Sequence, residues 1–348
     1  MIKLAVDAMG GDHGPAITTK AVFRALREEK NLSINLYGDR KQIEQIIQKN
    51  SLSKAYNSLQ QRLTIVHTPL FLKMDIENTR EELRDHPENS MFLALQAAKN
   101  NEVDGTVSAG PTQALVLSSF LIIRTTSFAK RIALAPIFNS INDKKIILID
   151  AGANIEIEPE NLLNFAIYAT IAFQELFQIK NPIIKLLNIG IEKNKGRNFE
   201  KKLYNLLEKD IRINFQGNEE SKNVLATDAD ILLSDAFTSN MVLKSYEGAI
   251  QNSFQIVKNV LTENWLKKII TKIFFANKMK KIKKKLDAKE MGGAMLLGLN
   301  KIVIKAHGDS DEYAFYKAIL QAKILIEQNF INKVYKNFTL SKGINDEL

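Results

Sequence analysis

Ile2-Lys-Leu-Ala-Val-Asp7-Ala-Met-Gly-Gly-Asp-His-Gly-Pro15 joins a short apolar run to a turn crowded with three glycines and two carboxylates. The run from Ile2 to Val6 predicts a strand. Pro15 predicts a helix start, because a proline there loses no hydrogen bond that the helix needs. Glycines at a strand's carboxyl end let backbone N–H groups approach a ligand closely, and the N-terminus of the next helix favours an anion. A tight turn opened by Asp or Pro is the plain structural reading of the same residues.

Further along the chain the pattern repeats. Apolar runs end in small or polar residues in Val103-Asp-Gly-Thr-Val-Ser-Ala-Gly110, Ile146-Ile-Leu-Ile-Asp-Ala-Gly-Ala-Asn154, Leu186-Leu-Asn-Ile-Gly190 and Ile213-Asn-Phe-Gln-Gly-Asn218. They do so again in Ile231-Leu-Leu-Ser-Asp-Ala-Phe-Thr238 and Ile302-Val-Ile-Lys-Ala-His-Gly308. Near-continuous apolar strands separated by longer helical stretches predict a Rossmann-like α/β fold, three layers α/β/α around a mainly parallel sheet. Ligands of such sheets bind outside the carboxyl ends of the strands. Here those ends carry Asp7, Ser108, Asp150, Asn154, Asp235, Lys305 and His307, which reads as one composite active site. Helices are expected over 112–124, over 160–179 behind Pro159, and over 309–330 with Asp309 or Ser310 as cap. No internal repeat or low-complexity linker divides the chain, so residues 1–348 read as a single α/β domain.

The formal charge is +9, from 48 basic and 39 acidic residues among 348. Eleven lysines between 258 and 289 stand against Glu263 and Asp287 alone, so this segment carries the whole excess and the remaining body is neutral. Leu261, Trp265, Leu266, Ile269, Ile270, Ile273 and Phe274 fall at helical spacing between lysines. Such a helix is the signature of a membrane-surface or acidic-partner element, and residues 255–289 are expected to protrude from the domain. Packing on the core or on a second subunit is the plain alternative. Nucleic acid is not expected, since one Trp and no further basic stripe give no footprint for it. No signal-peptide pattern and no apolar run of about 20 residues occurs, so a cytoplasmic, soluble or peripheral protein is expected.

Several chemistries lack their residues. The chain has no cysteine, and His13, His67, His86 and His307 are scattered without metal-ligand spacing. No Gly-x-Ser-x-Gly elbow is present. The loop from Met9 to Gly14 is not a dinucleotide fingerprint, although Asp39 mimics its acidic partner. Neither a metal nor a cofactor is therefore expected. What remains are hydroxyls (Ser108, Thr112), amides (Asn154, Asn240) and cations (Lys305, His307), a set suited to phosphate or a developing oxyanion.

The ordered motifs resemble the bacterial phosphate acyltransferase of phospholipid synthesis nearly end to end. The resemblance is carried by the segment from Asp7 to Pro15, Ser108-Ala-Gly110 with Thr112, Asp150-Ala-Gly-Ala-Asn154, Leu187-Asn-Ile-Gly190 and Asn214-Phe-Gln-Gly-Asn218. It continues through Ser234-Asp-Ala-Phe-Thr-Ser-Asn240, Glu247-Gly248, Gly292-Gly-Ala294 with Leu296-Leu-Gly298, and Lys305-Ala-His-Gly308. Pro111 and Gln113 stand where that family usually has Asn and Gly, and Met295 where it has Pro. The resemblance implies that acyl carrier protein donates a long-chain acyl group to inorganic phosphate, giving acyl phosphate for a downstream glycerol-3-phosphate acyltransferase. It also implies a homodimer at the membrane surface.

In that reading the catalytic candidates are Lys305, His307, Asp235 and Asn240. Phosphate or substrate is bound by Asp7, Gly10, Gly11, Asp12, Ser108, Gly110, Thr112, Asp150, Asn154 and Gly293. Among them Asp7, Asp12, Asp150 and Asp235 orient donors and cap loops rather than act as bases. Trp265, Lys267, Lys268, Ile269, Phe274, Lys280, Lys281 and Lys284 are the expected membrane or carrier contacts. A phosphate acetyl- or butyryltransferase acting on coenzyme A thioesters shares this chemistry, and a non-catalytic basic membrane scaffold is the rival of another class.

Overall fold

The computed structural model describes residues 1–50, 52–286 and 292–345, with the side chains at 281, 283–286 and 341–345 outside the description. Twelve strands are described: β1 Ile2–Asp7, β2 Leu32–Gly38, β3 Leu63–His67, β4 Gly105–Ser108, β5 Ala133–Ala135 and β6 Ile137–Asn139, then β7 Lys145–Ile149, β8 Ile183–Asn188, β9 Asn214–Glu220, β10 Ile231–Leu233, β11 Gly293–Leu297 and β12 Ile302–Ala306. They form two sheets rather than the one expected, of seven strands in the order β3-β2-β1-β4-β12-β11-β5 and of five in the order β6-β7-β10-β8-β9. Each is mainly parallel, as the apolar strands predict. Only β11 runs against its neighbours in the first sheet, and β6 against β7 in the second.

The division falls at Pro136. This residue has no N–H to give to a ladder, so an apolar run that would otherwise be one strand is cut into β5 and β6. β5 pairs with β11 and β6 with β7, which sends the chain from one sheet to the other. Leu148 N–H reaches the Pro136 carbonyl at 3.1 Å, so the crossing stays tied to the second sheet.

One apolar cluster runs through both sheets. It joins Leu4, Val6 and Ile34 to Ile147, Ile149, Ile184 and Leu186, with Phe165, Tyr168 and Phe173 of the helix Pro159–Phe177 among them. That helix is buried, one of the two roles its apolar sequence allows, and it wedges the two sheets together. Each fully buried aromatic contributes about 1.5–3 kcal/mol by removal from water. The helix ends at Gln178, whose φ of +59° stops it. The expected helix 309–330 is two: Glu312–Glu327, capped by Asp311 rather than Asp309 or Ser310, and Phe330–Asn345 after Asn329 turns left-handed at φ +53°. Asp39 is a cap as well, accepting from Lys41 and Gln42 N–H, so its carboxylate serves a helix start.

The basic segment follows helix Ala236–Leu261 in the chain. Helix Ala236–Leu261 is held at its start, where Tyr246 packs on Phe138 at 5.7 Å. Beyond Tyr246 its side chains are exposed or half-buried, and Trp265–Ile270, a π-helical stretch Thr271–Phe275 and Ala276–Leu286 follow. Trp265 is 70% exposed and Phe274 63%, far outside the range of ordinary core residues. Ile269, Lys267, Lys268 and Lys280 are exposed too, while the side chains of Lys281 and Lys284, and residues 287–289 entirely, lie outside the described residues. No helix among the described residues is long and apolar enough to cross a membrane.

The wedge has a direct test. Phe165→Ala leaves a cavity between the sheets and is expected to lower the unfolding free energy by about 3–5 kcal/mol. Urea denaturation followed by circular dichroism reads this as a lower midpoint, and an unchanged midpoint would place the helix outside the core.

Candidate active site

In the first sheet β1 is followed outward by β2 and β3, whereas β4 leads the other way to β12. The gap between β1 and β4 is therefore a topological switch point, where ligands of open α/β sheets bind. Strand register sets Val6 beside Val107 and Ser108 beside Lys305, so Asp7, Ser108 and Lys305 gather at the carboxyl ends of three adjoining strands.

Asp7 is buried and fully engaged. Ser90 Oγ donates to its Oδ1 at 2.7 Å, Ser108 Oγ to its Oδ2 at 2.6 Å, and Met9 N–H to Oδ1 at 3.1 Å. Burial pushes the Asp7 carboxyl up, opposed by the two hydroxyls and by the Met9 and Gly10 N–H groups. Ser108 in turn accepts Gly110 N–H at 3.0 Å. The Ser108 proton and the Gly110 N–H are thus committed to building the loop, and neither points to a ligand.

Glycine is required where these loops meet. A Cβ on Gly10 would stand 2.5 Å from Gly110 N and 2.7 Å from Asp7 Oδ2. At Gly11 φ is +91°, and an added Cβ would lie 2.8 Å from the Gly308 carbonyl. Asp12 N–H donates to that carbonyl at 2.8 Å, and His13 Nε2 meets Asp309 Oδ1 at 2.9 Å. The glycine loop after β1 is so bound to the loop after β12.

Lys305 is the buried cation of the site. Its Nζ donates to the Ala306 carbonyl at 2.5 Å and to the Ala109 carbonyl at 3.3 Å. Burial pulls its pKa down to about 8, while Asp12 and Asp7 hold it up. The ammonium is therefore largely kept at neutral pH and lost just above it.

Lys305 opens onto a cleft of about 300 Å³ between the carboxyl edge of the first sheet and helix Ala236–Leu261. Thr112, Gln113, Gly293, His307 and Asn240 line it with Lys305, and Leu134, Ile137 and Leu243 form apolar walls. Thr112 and Gln113 begin the helix Thr112–Ile122, whose N-cap is Pro111 and which has no side-chain cap. A helix start without a capping acceptor leaves N–H groups for an anion. Pro111 thus supplies no amide of its own but frees the first turn behind it.

The site residues expected from sequence divide into three groups. Thr112, Asn240, Gly293, Lys305 and His307 face the cleft, and Asp7, Gly10, Gly11, Asp12, Ser108 and Gly110 build the loops beneath it. Asp150 and Asn154 are elsewhere in role: Asp150 takes Leu134, Gly152, Ala153 and Asn154 N–H and the Asn154 side chain, and Asn154 also donates to the Ile132 carbonyl. Asp235 caps helix Ala236–Leu261 through Thr238 N–H at 2.8 Å and pairs with Arg197, so its carboxylate is turned to structure. Ser90 and Lys244 were not legible as site residues, Gly152 and Glu247 only through their motifs, and Gln113 only as a departure in the Ser108 loop. Among the described residues no group of three or more His, Asp or Glu is placed to hold a metal ion.

Comparison with known proteins identifies the family of the chain. The sequence family described as "Fatty acid synthesis protein" matches residues 2–333. A phosphate acyltransferase of Aster yellows witches'-broom phytoplasma is 48% identical over 99% of this chain and 93% of its own. Those of Acholeplasma laidlawii and Staphylococcus aureus are 40% and 38% identical, covering 96% and 95% of this chain and 97% and 96% of theirs. Among solved structures, a phosphotransacetylase from Staphylococcus aureus superposes with a TM-score of 0.59 at 14% identity, covering 93% of this chain and 94% of that one. A second, from Streptococcus pyogenes, gives 0.59 at 16% identity with 94% of each chain covered. The structural likeness shows the α/β fold alone, while sequence identity along nearly the whole length shows that this chain belongs to the phosphate acyltransferase family.

Proposed function

We propose that this acyltransferase moves a long-chain acyl group from acyl carrier protein to inorganic phosphate, giving acyl phosphate for membrane phospholipid synthesis. The observation that carries the reading is the buried Lys305 ammonium facing the same cleft as an uncapped helix start. Phosphate is already an anion at pH 7, so it needs a seat rather than a strong base. The N–H groups at Thr112 and Gln113 and the charge of Lys305 provide that seat.

One phosphate oxygen attacks the thioester carbonyl and forms the new C–O bond. The tetrahedral oxyanion collapses, the C–S bond breaks, and the carrier's thiol leaves as thiolate. A thiol of pKa about 8.5 departs with little acid assistance. Catalysis then consists of holding phosphate, stabilising the oxyanion, and excluding water behind Leu134, Ile137 and Leu243. His307 and Asn240 supply polar contacts on opposite sides of the cleft.

The protruding segment docks the enzyme on an anionic membrane, where acyl phosphate passes to a glycerol-3-phosphate acyltransferase. Each lysine near such a surface contributes about 1 kcal/mol, fading over a Debye length of about 8 Å. Trp265, Ile269 and Phe274 add apolar contact. Met241, Ile256, Val257 and Val260 are exposed along helix Ala236–Leu261, and a second copy of the chain covers them in a homodimer.

Turnover of palmitoyl-carrier with phosphate, and little with acetyl-coenzyme A, is the expected result; the reverse preference would assign the chain to short-chain chemistry, and no turnover of either thioester would leave a scaffold. The apparent Michaelis constant for phosphate is expected to rise as pH increases through about 8, because Lys305 then loses the charge that holds phosphate. A constant independent of pH from 7 to 9.5 would remove Lys305 from the phosphate site.

Liposome flotation tests the arm. Replacing Lys267, Lys268, Lys272 and Lys280 by Gln is expected to weaken binding to anionic vesicles about tenfold or more at low salt. Equal flotation of both forms would mean that the arm packs on protein instead.

A further inference from the structure

Ser90 lies outside every sequence motif of the site, yet it touches the carboxylate on which the site is built. It opens the helix Ser90–Lys99, is buried, and donates to Asp7 Oδ1 at 2.7 Å. The other oxygen, Oδ2, receives Ser108 at 2.6 Å. Ser108 holds Gly110 N–H, and the carbonyl of Ala109, between them, receives Lys305 Nζ at 3.3 Å. A line of hydrogen bonds thus runs from Ser90 through Asp7 and Ser108 to the turn that carries the ammonium.

We propose that Ser90 is a positioning residue for phosphate transfer, fixing Asp7 so that Ser108 keeps the Ala109–Gly110 turn folded under Lys305. The inference rests on the proposed reaction and extends it to a residue that touches neither phosphate nor thioester. Two features make the hydroxyl more than a space-filler. Asp7 is screened from water, so each donor it loses is replaced by nothing. The space beside Asp7 Oδ2 is also filled, since a Cβ added at Gly10 would stand 2.7 Å from that oxygen.

The charges around Lys305 define the readout. Asp12 acts on it from the glycine loop and Asp7 from β1. His307 stands two residues along its own strand end, and Lys244 and Glu247 face it across the cleft from helix Ala236–Leu261. Removing the Ser90 hydroxyl weakens the carboxylate form of Asp7, which in turn weakens its support of the ammonium.

The experiment is steady-state turnover of palmitoyl-carrier by the full chain at varied phosphate, from pH 6.5 to 9.5. Ser90→Ala is expected to raise the Michaelis constant for phosphate about tenfold, the loss of one hydrogen bond to a charged group acting at one remove. Its rise with pH should begin about half a unit lower than in the natural protein. Ser90→Thr, which keeps a hydroxyl, should restore both. Ser118→Ala, which removes a buried hydroxyl without a hydrogen-bond partner on the neighbouring helix, should move neither. An unchanged pH dependence in Ser90→Ala, with active natural enzyme, overturns the proposal. Should the natural protein not turn over thioester at all, the reaction reading fails instead. Positioning is then read from the Lys305 titration by NMR of reductively methylated protein, with Lys305→Arg for assignment. A lower midpoint in Ser90→Ala upholds the proposal, and an identical one overturns it.

Discussion

A carboxylate and an ammonium, Asp7 and Lys305, are held out of water at the ends of strands separated by a single neighbour. Burying charge is unfavourable unless each group is hydrogen-bonded and faces an opposite charge. The arrangement around the cleft meets that condition with short-range donors. Two hydroxyls and backbone N–H groups surround Asp7, two carbonyls receive Lys305, and Ser108 between them links β1 to β12. The glycines follow from this crowding, because any Cβ at Gly10 would displace the carboxylate or the Gly110 N–H. Burial lowers the pKa of Lys305 to about 8, and among the described residues no group of three or more His, Asp or Glu is placed to hold a metal ion.

The second sheet completes the cleft rather than founding it. Its carboxylates, Asp150 and Asp235, are consumed in shaping loops and starting helix Ala236–Leu261, and that helix brings Asn240, Lys244 and Glu247 across from Lys305. The same helix runs on into the exposed basic arm. The cleft and the exposed basic residues thus lie toward opposite ends of helix Ala236–Leu261, with a break at Thr262–Asn264 before the next helix.

Much of this was legible in the sequence because parallel strands buried on both faces leave continuous apolar runs, and their polar ends mark the site. The strand after Met1, the Ser108 loop and Lys305-Ala-His307 were visible in that way, as was the basic arm from its charge excess. The division into two sheets was not, since its only local sign is Pro136 within an apolar run. Nor was Ser90, because an ordinary helix-opening serine 83 positions from Asp7 carries no pattern that joins them. Asp150 and Asp235 shape a loop and cap a helix, the role read for them from sequence, but which backbone groups they hold was not readable. A carboxylate at a strand end looks the same in sequence whether its oxygens face a ligand or the backbone of its own loop.

Where phosphate sits is decided most directly by crystals grown or soaked in inorganic phosphate. The expected result is phosphate at the first turn of the helix Thr112–Ile122, within hydrogen-bond distance of Thr112 and of Lys305 Nζ, with the Asp7–Ser108 bond intact. Phosphate bound away from Lys305, or bound only after Ser108 leaves Asp7, would contradict it.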